Sequence, residues 1–208
     1  MARGTGPGGG GRQLTQKVKT ARGRKLSSKR WLERQLNDPY VVEAKAQGLR
    51  SRAAVKLIQL DERFSLLPKG GRIVDLGAAP GGWCQVAQRK VGNHGFVLGV
   101  DILEMEPMAG VELMQLDFTE EGADTKVIAA LGGRADSVLS DMAQPATGHR
   151  QTDHLRIMGM AELAYDCAQQ VLTPGGSFLG KLLQGGAQNE FLNLIKRDFA
   201  KVRFAKPD

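Results

Sequence analysis

A chain of 208 residues, 41% of them apolar, can bury a core for one α/β domain with an appendage. No run approaches the ~18 apolar residues of a membrane span, and the N-terminus lacks a signal peptide's apolar stretch, so a cytoplasmic protein is expected. The net charge of +7 is unevenly placed: residues 1–34 hold ten Lys/Arg against Glu33 alone, and the rest of the chain is slightly acidic.

That concentration reads as a glycine-rich basic arm over residues 1–27, disordered in isolation. With no apolar stripe beside it, nucleic acid is a better polyanion partner than membrane; a solubilising tail is the plainer alternative. Order is expected from Ser28, as cap of a short helix carrying Trp31, Leu32 and Leu36. Asp38-Pro39 opens a second helix that Gly48 ends, and Ser51 caps a third over 52–63. That helix carries Lys56 among small and apolar residues. Lys56 reads either as a snorkelling surface lysine or as one brought to a reaction centre.

Residues 73–85 read I-V-D-L-G-A-A-P-G-G-W-C-Q: a buried strand, a tight turn with Gly77, Gly81 and Gly82, then a helix to Gly92. This unit brings main-chain N–H groups and a helix N-terminus to a ligand, and glycine lets the ligand lie against the backbone. The spacing is not the dinucleotide G-x-G-x-x-G. S-adenosylmethionine, a nucleoside with an amino-acid tail, fits the turn better.

Strand and helix then alternate, as in a doubly wound, mostly parallel sheet with helices on both faces. Strands are expected at 96–100, 111–116, 136–140, 177–182 and 202–205. Helices are expected over 119–131 (capped by Thr119), 153–172 and 188–199. Asp75, Asp101, Asp117 and Asp141 all fall near carboxyl ends of strands, where open α/β sheets bind ligands. Asp101 is placed for ribose hydroxyls and Asp117 for an adenine amino group. Lys181, at the end of what reads as a central strand, is costly unless it faces a polar site. The loop over 144–153 reads as a substrate lip. His149 and His154 read as ordinary loop and helix-start residues, and Cys84 and Cys167 as small buried hydrophobes.

S-K-R-W-L, G-L-R-S-R-A-A-V-K-L, V-D-L-G-A-A-P-G-G-W, L-S-D-M-A, L-T-P-G-G-S-F and V-R-F-A-K-P-D occur in that order. Together they resemble the FtsJ family, the heat-shock-type 2′-O-methyltransferases of large-subunit ribosomal RNA, over residues 28–208. The resemblance implies a Rossmann-like S-adenosylmethionine-dependent methyltransferase domain, with N-terminal helices at 28–63 and the cofactor-binding sheet at 71–208. It implies methylation of a uridine ribose 2′-hydroxyl in the A-loop of 23S rRNA, within the assembled large ribosomal subunit. By motif, Gly77, Gly81 and Trp83 fall at the cofactor's methionine end, Asp101 at its ribose, Asp117 at its adenine, and Asp141 beside both cofactor and reaction centre. Lys181 matches the proton acceptor, with Lys56 and Asp141 orienting.

Lys181 can act as a base only when neutral; burial, Lys56 and the cofactor's sulfonium charge all favour that state, while Asp141 opposes it. No metal is needed, and nothing demands more than a monomer. The family pattern continues past K-P-D to an antiparallel strand bearing a Glu, so an incomplete chain is expected after Asp208. A cofactor-binding ribosome assembly factor with little catalysis is the alternative if the chain truly ends there. Base C5-methylation would need a cysteine nucleophile, and amino-group methylation a Pro-Pro-aromatic turn after the fourth strand. Neither is present.

Overall fold

The structure is a computed structural model and describes residues 29, 33, 37–142, 147–182 and 188–205. The expected arm (1–27) and most of the Trp31 helix lie outside the described residues. Two helices open the described chain, α1 (Pro39–Ala46) and α2 (Ala53–Phe64). The expected cap of α1 is present: Asp38 accepts from the Tyr40 N–H at 2.9 Å, with Pro39 in the first turn. Ser51 does not cap α2 with its side chain; Arg52 holds the capping position in a helical conformation.

Strands and helices then alternate: β1 (Arg72–Leu76), α3 (Gly82–Val91), β2 (Phe96–Asp101), β3 (Val111–Gln115), α4 (Ala123–Leu131), β4 (Ala135–Ser140), α5 (Arg150–Val171), β5 (Leu172–Gly180) and α6 (Gln188–Asp198). All pairings are parallel, in the order β3-β2-β1-β4-β5. A parallel sheet must be covered on both faces, and its side chains alternate between them. Ile73, Val97 and Leu139 pack one way, onto α2 and α3. Val74, Leu76, Leu98, Val100 and Val138 pack the other way, onto α4 and α5. Each such fully buried side chain contributes about 1.5–3 kcal/mol. Tyr165, Phe191 and Ile195 form a third cluster between α5 and α6, where the Tyr165 hydroxyl donates to Asp198. Both cysteines are buried, as expected.

The structure corrects several expected elements. Residues 201–205 form no strand, and Phe204 is exposed. β5 is therefore an edge strand among the described residues, and Lys181 follows directly on its carboxyl end. β5 also starts five residues earlier than expected. Its register runs Ala135↔Leu172, then Ser137↔Ser177, so the Pro174-Gly175-Gly176 turn forms an irregularity inside it. Helix α4 begins at Ala123 rather than Thr119, because Gly122 is left-handed at φ +76° and Thr119 is engaged with Asp117. Helix α5 begins at Arg150, three residues early. Its Asp153 reaches back to the Thr147 hydroxyl and the Thr147 and Gly148 N–H groups, folding the described end of the 144–153 loop onto the first turn.

Candidate active site

The strand order lays the expected site residues along one rim. From β3 to β5, the carboxyl ends present Asp117, Asp101, the glycine turn, Asp141 and Lys181 in spatial sequence. Neighbouring strands lie about 4.8 Å apart, so the row spans roughly 19 Å. The polar side chains of this row come from separate strands, and only the parallel register brings them together.

At the β1 end, Gly77 and Gly81 have φ of +79° and +97°, as the turn requires, and Ala79–Pro80 is cis. The Gly77 and Ala78 N–H groups both donate to the Val100 carbonyl, at 2.8 and 3.1 Å. Gly77 and Gly82 each also admit another part of the chain at close range. A Cβ on Gly77 would lie 2.8 Å from the Cα and Cγ of Met142, and one on Gly82 would occupy the position of the Ser51 hydroxyl. Gly77 thus lets the segment after β4 close against β1. Gly77→Ala adds a clash with backbone to an unfavourable φ, so a loss of about 2–5 kcal/mol is expected, read from urea denaturation. A loss below about 1 kcal/mol would mean that the Met142 segment yields freely.

Asp101 ends β2 and ties two loops together. Its carboxylate accepts from the Ala79 N–H at 2.9 Å and the Leu103 N–H at 2.8 Å. Asp117 accepts from the Thr119 hydroxyl at 2.7 Å and its N–H at 2.9 Å, which together hold the carboxyl below its ordinary range. Ile102 and Leu103, beside Asp101, are exposed apolar side chains.

Trp83 is nearly buried, and its indole N–H donates to the Ala53 carbonyl at 2.8 Å, locking α3 to α2. With Lys56, Leu60, Asp141 and Lys181 it lines a cleft of about 530 Å³ that continues between β5 and α6. Lys56 and Leu60 lie one helical turn apart on α2, which puts both on one face. The β4–β5 register pairs Ser140 with Gly180, so the next residues, Asp141 and Lys181, leave the sheet side by side. The Lys181 N–H donates to the Ser140 carbonyl at 3.0 Å, and the Asp141 N–H to the Leu76 carbonyl at 3.2 Å. Lys181 Nζ sits 2.9 Å from Asp141 Oδ1, the two side chains 39% and 32% exposed.

Asp75 is not a rim acid. It lies within β1, one residue before its end, and the strand pleat turns its side chain inward onto α3. The carboxyl is fully buried; one oxygen accepts from the Cys84 thiol at 3.2 Å, and the other has no partner among the described residues. Burial pushes it up to about 7; the Cys84 hydrogen bond opposes the rise, and the Asp141 and Asp101 charges add to it. Sequence reasoning also missed Arg50, whose only signal is its place in G-L-R-S-R ahead of Lys56.

A model of FtsJ-like methyltransferases matches residues 49–208. The chain belongs to this family. Among its relatives is a protein of Parvibaculum lavamentivorans named ribosomal RNA large subunit methyltransferase E, 56% identical over 98% of this chain and 84% of the relative. A protein of the same name from Paramagnetospirillum magneticum is 58% identical over 98% of this chain and 86% of that one. Among solved structures, a ribosomal RNA methyltransferase of Plasmodium falciparum superposes with a TM-score of 0.69 at 31% identity, over 76% of this chain and 91% of that one. The FtsJ-like domain thus has the expected Rossmann-like, parallel α/β methyltransferase fold. Family membership makes it an enzyme that transfers methyl groups, a class that uses S-adenosylmethionine.

The rim of this FtsJ-like domain suits that donor. Two carboxylates stand at adjacent strand ends with apolar Ile102 and Leu103 beside them, which matches hydroxyl and amino donors on a flat nucleoside. The glycine turn follows at the next strand, in reach of an amino-acid tail.

Proposed function

We propose that this protein methylates the ribose 2′-hydroxyl of a uridine in the A-loop of 23S rRNA, within the large ribosomal subunit, using S-adenosylmethionine. The observation that carries the reading is the rim order: carboxylates at β3 and β2, the glycine turn at β1, and a lysine–carboxylate pair at β4 and β5, with a second lysine in the same cleft. The relatives named ribosomal RNA large subunit methyltransferase E support an rRNA substrate.

In this reading Asp117 takes the adenine amino group, Asp101 the ribose hydroxyls, and the turn from Gly77 to Trp83 the methionine end. The cofactor supplies an already activated methyl carbon. A ribose hydroxyl is a weak nucleophile until its proton has somewhere to go, and Lys181 Nζ receives it as the new O–C bond forms and the S–C bond breaks. Asp141 fixes Lys181 through their ion pair. Lys56, which lines the same cleft, helps to orient the pair. In-line positioning supplies much of the remaining rate.

The test is transfer of labelled methyl from S-adenosylmethionine to large subunits that lack the modification, followed by mapping of the labelled nucleotide. Label on a ribose 2′-oxygen of an A-loop uridine is the expected result. Label on a base, or none from full-length protein, would overturn the reading.

A further inference from the structure

Arg50, in the connection between α1 and α2, makes three main-chain contacts that the reaction above does not use. Its Nη1 donates to the Glu106 carbonyl at 2.7 Å and the Pro80 carbonyl at 3.4 Å, and its Nη2 to the Pro107 carbonyl at 2.8 Å. Pro80 belongs to the glycine turn; Glu106 and Pro107 belong to the irregular segment 102–110 that follows β2. A planar guanidinium with several fixed N–H directions can bridge two such segments, whereas an ammonium is a single point of contact.

The bridge is anchored at its base. The Arg50 N–H donates to Gln85 Oε1 at 3.0 Å, and Gln85 Nε2 donates to the Gly48 carbonyl at 2.9 Å, so the Arg50 backbone is pinned to the first turns of α3. The space beside Gly81 is taken from both sides. A Cβ there would lie 3.0 Å from Met108 Cε and 3.2 Å from Arg50 Nη1. Asp101 ties the same two segments at a second point, through Ala79 and Leu103. The turn and the 102–110 segment are therefore joined twice, by a carboxylate accepting N–H groups and by a guanidinium donating to carbonyls.

We propose that Arg50 is a positioning residue for the methyl donor: it sets the gap between the glycine turn and the 102–110 segment, and thereby the seat of the ribose and methionine portions. It acts through main-chain carbonyls and touches no reacting atom. Because Arg50 lies six residues before Lys56, it also fixes the cofactor seat relative to the helix that brings Lys56 to the cleft. The proposal rests on the reading of the rim as an S-adenosylmethionine site.

The test compares wild type with Arg50→Met and Arg50→Lys. Met keeps the aliphatic stem without donors; Lys keeps the charge without the fork. The first measurement is amide hydrogen exchange across 102–110 in ligand-free protein, expected to quicken about tenfold in both variants. The second is S-adenosylhomocysteine affinity by calorimetry and methyl-transfer kinetics on ribosomal RNA particles. The expected result is a roughly tenfold rise in Kd and in KM for S-adenosylmethionine, with kcat at saturating donor within twofold and KM for the particle unchanged. Unchanged exchange and Kd would overturn the proposal. So would a rise in the particle's KM in place of the donor's, which would make Arg50 an RNA contact. Failure of the wild type to bind S-adenosylhomocysteine would instead overturn the reading of the rim, and the exchange rates would still decide whether Arg50 joins the two segments. Should Arg50→Met not fold, Arg50→Lys carries the same measurements.

Discussion

Lys181→Met is expected to lower kcat for methyl transfer about a thousandfold while leaving S-adenosylhomocysteine affinity within threefold of wild type. Positioned proton transfer contributes roughly 10²–10⁴ in rate, and the substitution removes the only proton-accepting atom of that side chain. Met keeps much of the Lys stem. The ion pair with Asp141 is more than one-third solvent-exposed on the lysine side. Water can take the place of the lost ammonium, so less than about 1 kcal/mol of stability should go with it. The variant thus separates chemistry from folding. Lys181→Arg sharpens the result: guanidinium keeps the positive charge beside Asp141 but stays protonated at any working pH, so it cannot receive the 2′-hydroxyl proton. If Lys181 served only as a charge to hold RNA, Arg would restore most of the rate. If it is the base, Arg is as inactive as Met. Single-turnover methyl transfer with saturating donor distinguishes the two, and retention of more than a tenth of wild-type kcat by Met would remove Lys181 from the proton-accepting role.

What the sequence reveals about this site, and what it hides, follows from how each feature is encoded. Ile73-Val74 and the Phe96-Val97-Leu98 run are legible because a buried parallel strand needs consecutive apolar residues, and glycine closes each run. The Asp38-Pro39 start of α1 is legible because a cap acts within two residues. The adjacency of Asp141 and Lys181 is different: they are forty residues apart, and only the β4–β5 register makes them neighbours. Family resemblance pointed to both residues, but no local pattern places them side by side. Gly77 and Gly82 announce a turn with close approach, yet not what approaches, which proves to be Met142 and Ser51. Val202 to Ala205 has strand-like residues and no strand partner among the described residues. A strand exists only through its neighbour's hydrogen bonds. Asp75 shows the sharpest limit. In sequence it is one of four acids near strand ends, and only the pleat separates it from the other three.

The inward turn of Asp75 has a measurable consequence. Its carboxyl is raised to about 7, chiefly by burial, against 3.8 for an ordinary aspartate. A raised folded-state value means that the native protein binds this proton more tightly than the unfolded chain. Stability from the group is fully present below about pH 4 and is lost as pH rises through about 7. The full loss is on the order of 4 kcal/mol, of which about 2.5 kcal/mol falls between pH 5 and pH 8. Asp75→Asn keeps the shape and removes the titration. The difference in unfolding free energy between variant and wild type, measured by urea at each pH, should therefore shift in the variant's favour by about 2.5 kcal/mol from pH 5 to pH 8. Other titrating groups are common to both proteins and cancel in that difference. A difference independent of pH would mean that Asp75 is ionised throughout this range. The hydrogen bond from Cys84 opposes the rise. Cys84→Ala should accordingly move the loss of stability to higher pH, because the buried carboxylate then loses the donor on its one partnered oxygen and the proton is held more tightly still.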